Sequence, residues 1–178
     1  MSTTSSDNPA GRYAVRADTA IGALLIVGDS DAVTRITWIA PETPAPPAHR
    51  ANPLLAEAAR QLSAYARGDL QVFDLPVKAH GSPHEHAVWD QMKLIPYGET
   101  RTYGELATAI SSSPRAVGRA CGANPVPVLV PCHRVMGQSG KLTGFSGGDG
   151  VATKSLLLNL ERRHNAGQLG DLPLFSTS

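Results

Sequence analysis

Apolar and polar residues alternate in the first part of the chain in a way that predicts β-strands. Three runs have this pattern, YAVRADT, GALLIVGD and VTRITWIA, and the polar pair Asp29-Ser30 predicts a hairpin turn between the second and the third. The next segment, PETPAPPAHRANP, contains five prolines and is therefore expected to be an irregular loop. These features predict a sheet of short strands near the N-terminus.

A helix is predicted after this loop, because apolar residues recur at helical spacing in PLLAEAARQLSAYARGD and Gly68 provides a stop. The run VFDLPV is expected to add one more short strand. Together these elements predict a small N-terminal α/β domain of strands plus helix over residues 12–78, after a disordered lead-in over residues 1–11. This domain is expected to brace the helices that follow it.

The pattern becomes mainly helical from residue 79. Helix starts are predicted at Ser82-Pro83, at Thr102 with Glu105 three residues later as a capping box, and within SSSPRAVGRACGAN. The last two helices are short and joined by a Ser-rich turn, and the second is basic, so they form a candidate helix-turn-helix. The predicted fold is therefore α/β, with the N-terminal domain followed by a mainly helical C-terminal domain over residues 79–164, which carries this candidate helix-turn-helix, a motif typical of DNA-binding proteins, and by a tail over residues 165–178.

The composition narrows the class of protein. The 178 residues are 42% hydrophobic and 17% charged, which is typical of a soluble globular protein. No apolar run approaches the roughly 18 residues that cross a membrane, and the N-terminus has no signal-peptide pattern. We therefore expect a cytoplasmic protein without membrane contact, nucleoid-associated if the source is bacterial, with Cys121 and Cys132 as free thiols.

The charge is distributed unevenly along the chain. The net charge is only +1, yet residues 106–148 contain no Asp or Glu and carry Arg115, Arg119, Arg134 and Lys141. An acid-free basic segment suits a polyanion such as nucleic acid. A polar surface that lacks acids by chance explains four positive charges equally well, so the charge alone does not show that the segment binds nucleic acid.

The sequence PCHRV places Cys132 between a proline and a histidine, directly after the apolar run PVPVLVP, which is expected to be extended and buried. A thiol there could be a buried small hydrophobe, a metal ligand or a nucleophile. Two cysteines without a CxxC pair cannot build a four-cysteine zinc site, and we expect no metal. The closely spaced His80, His84 and His86 are expected to be solvated.

A nucleophilic Cys132 needs a neighbour that lowers the pKa of its thiol, because burial raises it. His133 can take the proton, through a bridging water since adjacent side chains rarely bond directly, and a carboxylate can then orient the histidine. The first carboxylate on a regular pattern is Glu161, in the predicted helix TKSLLLNLERR. An isolated Cys–His pair is more often structural than catalytic, so the alternatives stay open on this pattern alone.

The segment SGKLTGFSGG contains four glycines, which would let backbone amides approach a ligand closely. It lacks the GKS or GKT ending of a phosphate-binding loop, so binding of a nucleoside triphosphate is not expected. A mobile surface loop explains the glycines equally well.

Four segments together resemble one family. IPYGETRTYGELA, RAVGRACGANPVPVLVPCHRV, SGKLTGFSGG and the ending Lys154–Glu161 are similar to the O6-alkylguanine-DNA alkyltransferases, also called methylated-DNA–protein-cysteine methyltransferases. The resemblance is close over residues 80–163 and looser before them. It implies direct-reversal DNA repair, in which an O6-alkylguanine is flipped out of the duplex and its alkyl group moves irreversibly to a cysteine, in one turnover and without a cofactor. Repair of O4-alkylthymine is left open.

The resemblance also implies roles at the reacting centre. Cys132 would be the acceptor thiol, His133 the base acting through a water, and Glu161 the group that polarises His133, while Asn124 would hold the surrounding loop. Tyr103 would donate a hydrogen bond to the guanine as negative charge develops on it. The pocket for the base would be lined by Val135, Ser146 and Phe145, the last of which stands where many members have a tyrosine.

Contacts to double-stranded DNA are implied for the predicted helix RAVGRACGAN and its neighbour. Arg115 matches the arginine that fills the gap left by the flipped base, and Arg119 could contact a phosphate. The small residues Ala116 and Gly118 would let the helix lie in the minor groove, with Thr102 as a further contact. Such binding would be sequence-independent and salt-sensitive, by a protein that acts as a monomer, with cooperative binding along DNA left open.

Two other functions remain as alternatives. An alkyltransferase-like protein binds lesions without repairing them, but such proteins lack the acceptor cysteine that Cys132 provides here. A cysteine hydrolase could use Cys132 and His133, but it would leave the basic helix and the NPVP segment unexplained. Transfer of an alkyl group to Cys132 is therefore the predicted function.

Overall fold

The computed structural model describes residues 11–47 and 52–169, with side chains up to residue 165. Its N-terminal part contains an antiparallel sheet, whose strands in order are β1 (Tyr13–Thr19), β2 (Gly22–Gly28) and β3 (Val33–Trp38). Alternate residues of the central strand, Leu24 and Ile26, are fully buried, as the alternating pattern predicts. The first three predicted strands and the hairpin between β2 and β3 are confirmed.

Helix α1 (Pro53–Arg67) packs on this sheet. The Asn52 side chain caps its first turn by accepting from the Leu55 amide, and Gly68 ends it in the left-handed conformation, at φ 84°. The buried side of the helix carries the residues at helical spacing, namely Leu55, Ala58, Leu62 and Tyr65. The predicted helix and its glycine stop are therefore confirmed.

The predicted strand over VFDLPV is wrong. This segment forms one parallel bridge, in which the Val33 amide donates to the Pro76 carbonyl and the Lys78 amide donates to the Val33 carbonyl. Pro76 has no amide hydrogen, so a regular ladder of hydrogen bonds cannot continue through it. The segment is instead an irregular connection beside β3.

Helices make up most of the C-terminal part, as predicted. They are α2 (Pro83–Lys93), α3 (Tyr103–Ala109), α4 (Pro114–Gly122) and α5 (Val151–Leu169). Capping boxes begin the first two, with Ser82 and Glu85 at α2 and Thr102 and Glu105 at α3. Helices α3 and α4 pack together across a short turn, in the arrangement of a helix-turn-helix.

Two short elements connect these helices. Strand β4 (Arg101–Thr102) pairs in parallel with β5 (Val135–Met136), and a 3-10 turn over Cys132–Arg134 leads into β5. Helix α5 continues to Leu169, beyond residue 165, at which the sequence analysis begins a C-terminal tail. Residues 1–10 and 170–178, which include nearly all of the expected lead-in and most of that tail, lie outside the described residues.

The N-terminal and C-terminal parts share one hydrophobic core. The Ile36 amide of β3 donates to the Pro125 carbonyl, and the Trp38 and Phe145 rings meet edge to face with centroids 5.9 Å apart. The mixed α/β fold with a mainly helical C-terminal part is thus confirmed. None of the helices within the described ranges is long and apolar enough to cross a membrane.

Candidate active site and nucleic-acid interface

Asn124 organises the turn that delivers Cys132. Its side-chain Nδ2 donates to the Val130 carbonyl at 2.8 Å, and its Oδ1 accepts from the Val126 amide at 3.1 Å. The run PVPVLVP is buried as expected, but it is folded into turns instead of being extended, since the Val130 amide donates to the Val126 carbonyl. Asn124 therefore fixes the backbone that ends at the thiol.

His133 and Glu161 form a hydrogen-bonded pair in the interior. The distance from His133 Nε2 to Glu161 Oε1 is 2.7 Å, and both residues are fully buried. The other ring nitrogen, His133 Nδ1, has no hydrogen-bond partner among the described residues. Burial lowers the pKa of His133, more than its hydrogen bond to Glu161 raises it, so the ring is neutral at pH 7. Because Glu161 accepts from Nε2, the neutral ring carries its proton there and its lone pair on Nδ1.

The Glu161 carboxylate of α5 accepts hydrogen bonds from three other segments of the chain. The Tyr65 hydroxyl donates to Oε1 at 2.6 Å, the Gly98 amide donates to Oε2 at 3.0 Å, and Arg134 Nε donates to Oε2 at 3.0 Å. Burial alone would raise the pKa of this carboxyl, but the hydrogen bonds from His133 and Arg134 and the positive charge of Arg134 lower it to about 2. Glu161 is therefore ionised and held in place.

Arg134 is buried. The sequence predicts it as one of the basic residues that could bind a polyanion, and the structure corrects this prediction. It is 7% exposed, and besides Glu161 it donates to the Ile95 carbonyl at 2.7 Å. Its charge is matched by the buried carboxylate. The basic surface of the segment without acids is thus supplied by the remaining residues, Arg115, Arg119 and Lys141.

The two thiols lie in one apolar environment, and burial raises the pKa of both. The pKa of the Cys121 thiol rises to about 12. At Cys132 the Asn124 side chain and the positive charge of Lys154 act against the effect of burial. Cys132 thus has neighbours that favour its thiolate, although none of them is strong enough to ionise it at rest.

Cys132 opens into a cavity of about 280 Å³. Cys121, Asn124, Phe145 and Ser146 line the same cavity, and strand β3 forms one wall. The Phe145 ring is held by its edge-to-face contact with Trp38. The structure therefore brings together the predicted acceptor, Asn124 and two of the predicted pocket residues, with a contribution from the N-terminal sheet that the sequence analysis does not anticipate.

Tyr103 lies in a neighbouring and larger cavity of about 740 Å³, which Thr102 and Gly118 also line. Its hydroxyl donates to the Thr143 carbonyl at 3.1 Å, and burial raises its pKa to about 12, so it is a proton donor at neutral pH. Gly144 has φ +62°, and a Cβ there would lie 2.8 Å from the Tyr103 hydroxyl oxygen, so glycine is required. The loop 143–148 contributes residues to both cavities.

Lys154 is a fully buried lysine that links this loop to β5. Its ammonium group donates to the carbonyls of Val135 and Thr143, and it lies 5.8 Å from the centroid of the Tyr103 ring. Burial lowers its pKa. Val135, a predicted pocket residue, is therefore fixed through its carbonyl by a charged donor.

Helix α4 presents its predicted DNA contacts on one exposed side. Arg115 and Arg119 are exposed, and the small residues Ala116 and Gly118 are half-buried. The opposite side of the helix is buried in the core through Val117, Ala120 and Cys121. Thr102 is engaged in capping α3, since its hydroxyl accepts from the Glu105 amide and donates to the Glu105 carboxylate.

His80, His84 and His86 are exposed, as predicted, and the last two have local contacts. His84 Nε2 is 2.9 Å from the Ser112 hydroxyl, and His86 meets the Trp89 ring edge to face. Across the residues that the structure describes, no group of three or more His, Cys, Asp or Glu side chains could hold a metal ion.

Sequence reasoning missed three residues of the site, namely Tyr65, Arg134 and Lys154. Tyr65 lies at the helical spacing of α1 and reads as an ordinary core residue. Arg134 reads as a surface charge. Lys154 falls within the family-like ending at residues 154–161, so its place in that motif is the signal that could have singled it out.

Comparison with known proteins adds independent information. A family model described as 6-O-methylguanine DNA methyltransferase, DNA binding domain, matches residues 83–163. A constitutive methylated-DNA–protein-cysteine methyltransferase of Bacillus subtilis is 40% identical over 158 residues, which span 84% of this chain and 95% of that protein. A methylated-DNA–protein-cysteine methyltransferase of Mycolicibacterium paratuberculosis is 43% identical over 156 residues, which span 85% of this chain and 93% of that protein.

Solved structures of methyltransferases are similar to this chain over both its N-terminal and its C-terminal parts. A crystal structure of Mycobacterium tuberculosis O6-methylguanine methyltransferase aligns with a TM-score of 0.74 at 38% identity, covering 86% of this chain and 94% of that one. A crystal structure of Mycobacterium tuberculosis OGT in complex with DNA aligns with a TM-score of 0.73 at 38% identity, covering 86% of this chain and 93% of that one.

Proposed function

The chain belongs to the family of methylated-DNA–protein-cysteine methyltransferases, and from this premise we propose that it repairs DNA by moving the alkyl group of O6-alkylguanine onto Cys132. The observation that carries this assignment is the buried His133–Glu161 pair, in which His133 directly follows Cys132 in the chain and its Nδ1 has no partner among the described residues. A neutral imidazole with a lone pair on Nδ1 can accept the thiol proton through one water.

The proposed transfer begins with the proton of Cys132 moving to His133 Nδ1. The thiolate then attacks the alkyl carbon, so that a sulfur–carbon bond forms while the bond between that carbon and guanine O6 breaks. The electron pair of the broken bond stays on the guanine, which takes up a proton to become an ordinary guanine. Glu161, ionised and 2.7 Å from Nε2, stabilises the imidazolium that forms on His133. The product is a thioether on Cys132, which water does not cleave at neutral pH, so each protein molecule transfers one alkyl group.

The guanine needs a donor as negative charge develops on it, and Tyr103 can supply one. Its hydroxyl donates to the Thr143 carbonyl and lies 3.3 Å from the Gly144 carbonyl. We propose that the flipped base enters from the larger cavity and takes the place of these carbonyls as the partner of Tyr103. The backbone of Val135 and Ser146 and the Phe145 ring then enclose the base near Cys132.

DNA is the partner of this family, and the exposed side of α4 is the proposed contact. Arg115 would fill the space that the flipped base leaves, and Arg119 would bind a phosphate. Half-buried Ala116 and Gly118 keep this side of the helix narrow, which suits a minor groove about 6 Å wide. Since these contacts address the backbone and the groove, we expect binding by a monomer to be independent of sequence.

The test is intact mass spectrometry after incubation with duplex DNA that carries one O6-methylguanine, followed by peptide mapping. The proposal expects one methyl group per protein molecule, located on Cys132, and no further reaction with fresh DNA. Tight lesion binding without a change in mass would instead assign the protein to the lesion-sensing alkyltransferase-like class. Repeated turnover of an acyl substrate would favour a cysteine hydrolase.

A further inference from the structure

The Tyr65 hydroxyl contacts both members of the His133–Glu161 pair, which together with Cys132 form the proposed proton relay. It donates to Glu161 Oε1 at 2.6 Å and is 3.3 Å from His133 Nε2. Tyr65 is fully buried, and it comes from α1 of the N-terminal part, whereas its two partners belong to the C-terminal part. The N-terminal part thus supplies a polar atom to the centre of the site.

The direction of these hydrogen bonds follows from the number of protons available. A tyrosine hydroxyl has one proton, and the short distance to the Glu161 carboxylate assigns it there. Since this proton is used, the hydroxyl oxygen acts as an acceptor toward His133 Nε2. The Nε2 hydrogen is then shared between Glu161 Oε1 at 2.7 Å and the Tyr65 oxygen at 3.3 Å. Both contacts favour the form of the ring that is protonated on Nε2.

The surroundings of the hydroxyl contain few other charged or titratable groups. The 3-10 turn contributes His133 and Arg134, α5 contributes Glu161, and the turn before β4 contributes Tyr97, whose ring meets that of Tyr65 edge to face at 6.0 Å. Arg134 is already engaged by Glu161 and the Ile95 carbonyl. The Tyr97 hydroxyl has no hydrogen-bond partner within the described part of the chain.

We propose that Tyr65 is a positioning residue for alkyl transfer, whose hydroxyl holds Glu161 Oε1 so that His133 keeps its proton on Nε2 and presents Nδ1 to Cys132. This inference rests on the proposed function and deepens it. It gives the N-terminal domain a direct part in the chemistry, beyond bracing the helices. Without the hydroxyl, one oxygen of the carboxylate is free to turn, and the imidazolium that accompanies the thiolate is held less well.

The test compares Tyr65→Phe with Tyr97→Phe. Both changes remove one buried hydroxyl from neighbouring rings, but only the first removes a hydrogen bond among the described residues. We expect Tyr65→Phe to react with free O6-benzylguanine about tenfold more slowly, which corresponds to about 1.4 kcal/mol, and Tyr97→Phe to react at the wild-type rate. Thermal unfolding of both variants serves as the control for stability.

A second readout separates positioning from a merely structural role. The rate at which iodoacetamide alkylates Cys132, followed by peptide mapping from pH 5 to pH 10, reports the thiolate without DNA or guanine. We expect the midpoint of this profile to rise by about one pH unit in Tyr65→Phe and to stay unchanged in Tyr97→Phe. An unchanged or lowered midpoint in Tyr65→Phe, or an equal shift in both variants, would overturn the inference.

A double-mutant cycle provides the last check. Because Tyr65 acts through the carboxylate, Tyr65→Phe should have little further effect on the rate in a Glu161→Gln background, and full additivity would contradict the inference. Failure of the proposed function would appear in the wild-type protein, as no methyl on Cys132. Failure of this inference would appear in the Tyr65 variants alone.

Discussion

The interior relay and the exposed side of α4 use charge in opposite ways. In the relay the carboxylate of Glu161 is fully buried, and its partners Tyr65, Gly98, His133 and Arg134 fix it at distances of 2.6 to 3.0 Å. On α4, Arg115 and Arg119 are exposed. The first region is held by hydrogen bonds in the interior, whereas the second is open to solvent.

This difference matches the two tasks that we assign to the regions. Moving a proton from a buried thiol requires atoms held within a few tenths of an ångström, because the barrier depends on their alignment. Binding DNA of any sequence requires positive charge near phosphates, which tolerates movement and is screened by salt. We therefore expect substitutions in the interior to change chemistry and substitutions on α4 to change DNA binding.

The largest expected effect is that of Cys132→Ala, which should abolish transfer and leave the affinity for duplex DNA within about twofold of the wild type. The reason is that the thiol is buried and makes no contact with DNA in the proposed complex. Mass spectrometry and a fluorescence-anisotropy titration measure the two properties. Cys121 is the matched thiol, and peptide mapping of the wild type should find it unmodified, since burial raises its pKa to about 12 and no histidine adjoins it in the sequence. A folded variant that no longer binds DNA would break the separation between the two regions.

The next effect is that of Glu161→Gln, which should slow the reaction with O6-benzylguanine about a hundredfold, or about 2.7 kcal/mol. A neutral amide cannot stabilise the imidazolium on His133. The pH midpoint for alkylation of Cys132 should rise as well. Stopped-flow rates across pH would measure both, and a profile that matches the wild type would remove Glu161 from the relay.

A smaller effect is expected for Arg115→Ala, since this residue acts when a base leaves the stack. Repair of methylated duplex DNA should slow about tenfold, while the reaction with free O6-benzylguanine should change less than twofold. Arg60→Ala, which removes an exposed arginine that pairs with Glu57 on α1, is the control for loss of charge. Equal losses on the two substrates would contradict the assignment of Arg115.

The smallest effect is expected for Arg119→Ala. Loss of one phosphate contact should weaken duplex binding a few-fold at 0.1 M salt. The negative slope of log affinity against log salt should become shallower by about 0.9. The rate with free O6-benzylguanine should match the wild type. Titrations at several salt concentrations test this, and an unchanged slope would mean that Arg119 does not meet a phosphate.

Local sequence signals predicted most of the secondary structure. The capping boxes at Ser82 and Thr102 and the glycine stop at Gly68 act within a few residues of themselves, so the sequence contains all the information that they need. The predicted strand over VFDLPV is wrong because its apolar pattern contains Pro76. Proline has no amide hydrogen, so a regular ladder of hydrogen bonds cannot form there.

The candidate site was predicted through the four family-like segments, and three residues that support it were missed. Tyr65 lies outside those segments, whereas Arg134 and Lys154 lie within them. Tyr65 is an apolar-face residue of an amphipathic helix, and nothing near it in sequence indicates that its hydroxyl meets Glu161. Arginine is usually a surface residue, and Arg134 is buried because the Glu161 carboxylate of α5 pairs with it. Such contacts between distant segments depend on tertiary packing, which a local pattern does not encode.

We also expect the Glu161 carboxylate to make four segments open and close as one. It joins α1, the turn at Gly98, the 3-10 turn at Cys132–Arg134 and α5, so the detachment of any one of them would leave a buried charge without a donor. Amide hydrogens in α1 and α5 should therefore exchange with solvent through a common opening event. Since the pKa of Glu161 is about 2 in the folded protein and about 4.5 in the unfolded chain, the free energy that couples these segments is present in full above pH 4.5. As the pH falls toward 2 this free energy is lost, and hydrogen exchange should then resolve α1 and α5 into separately opening units.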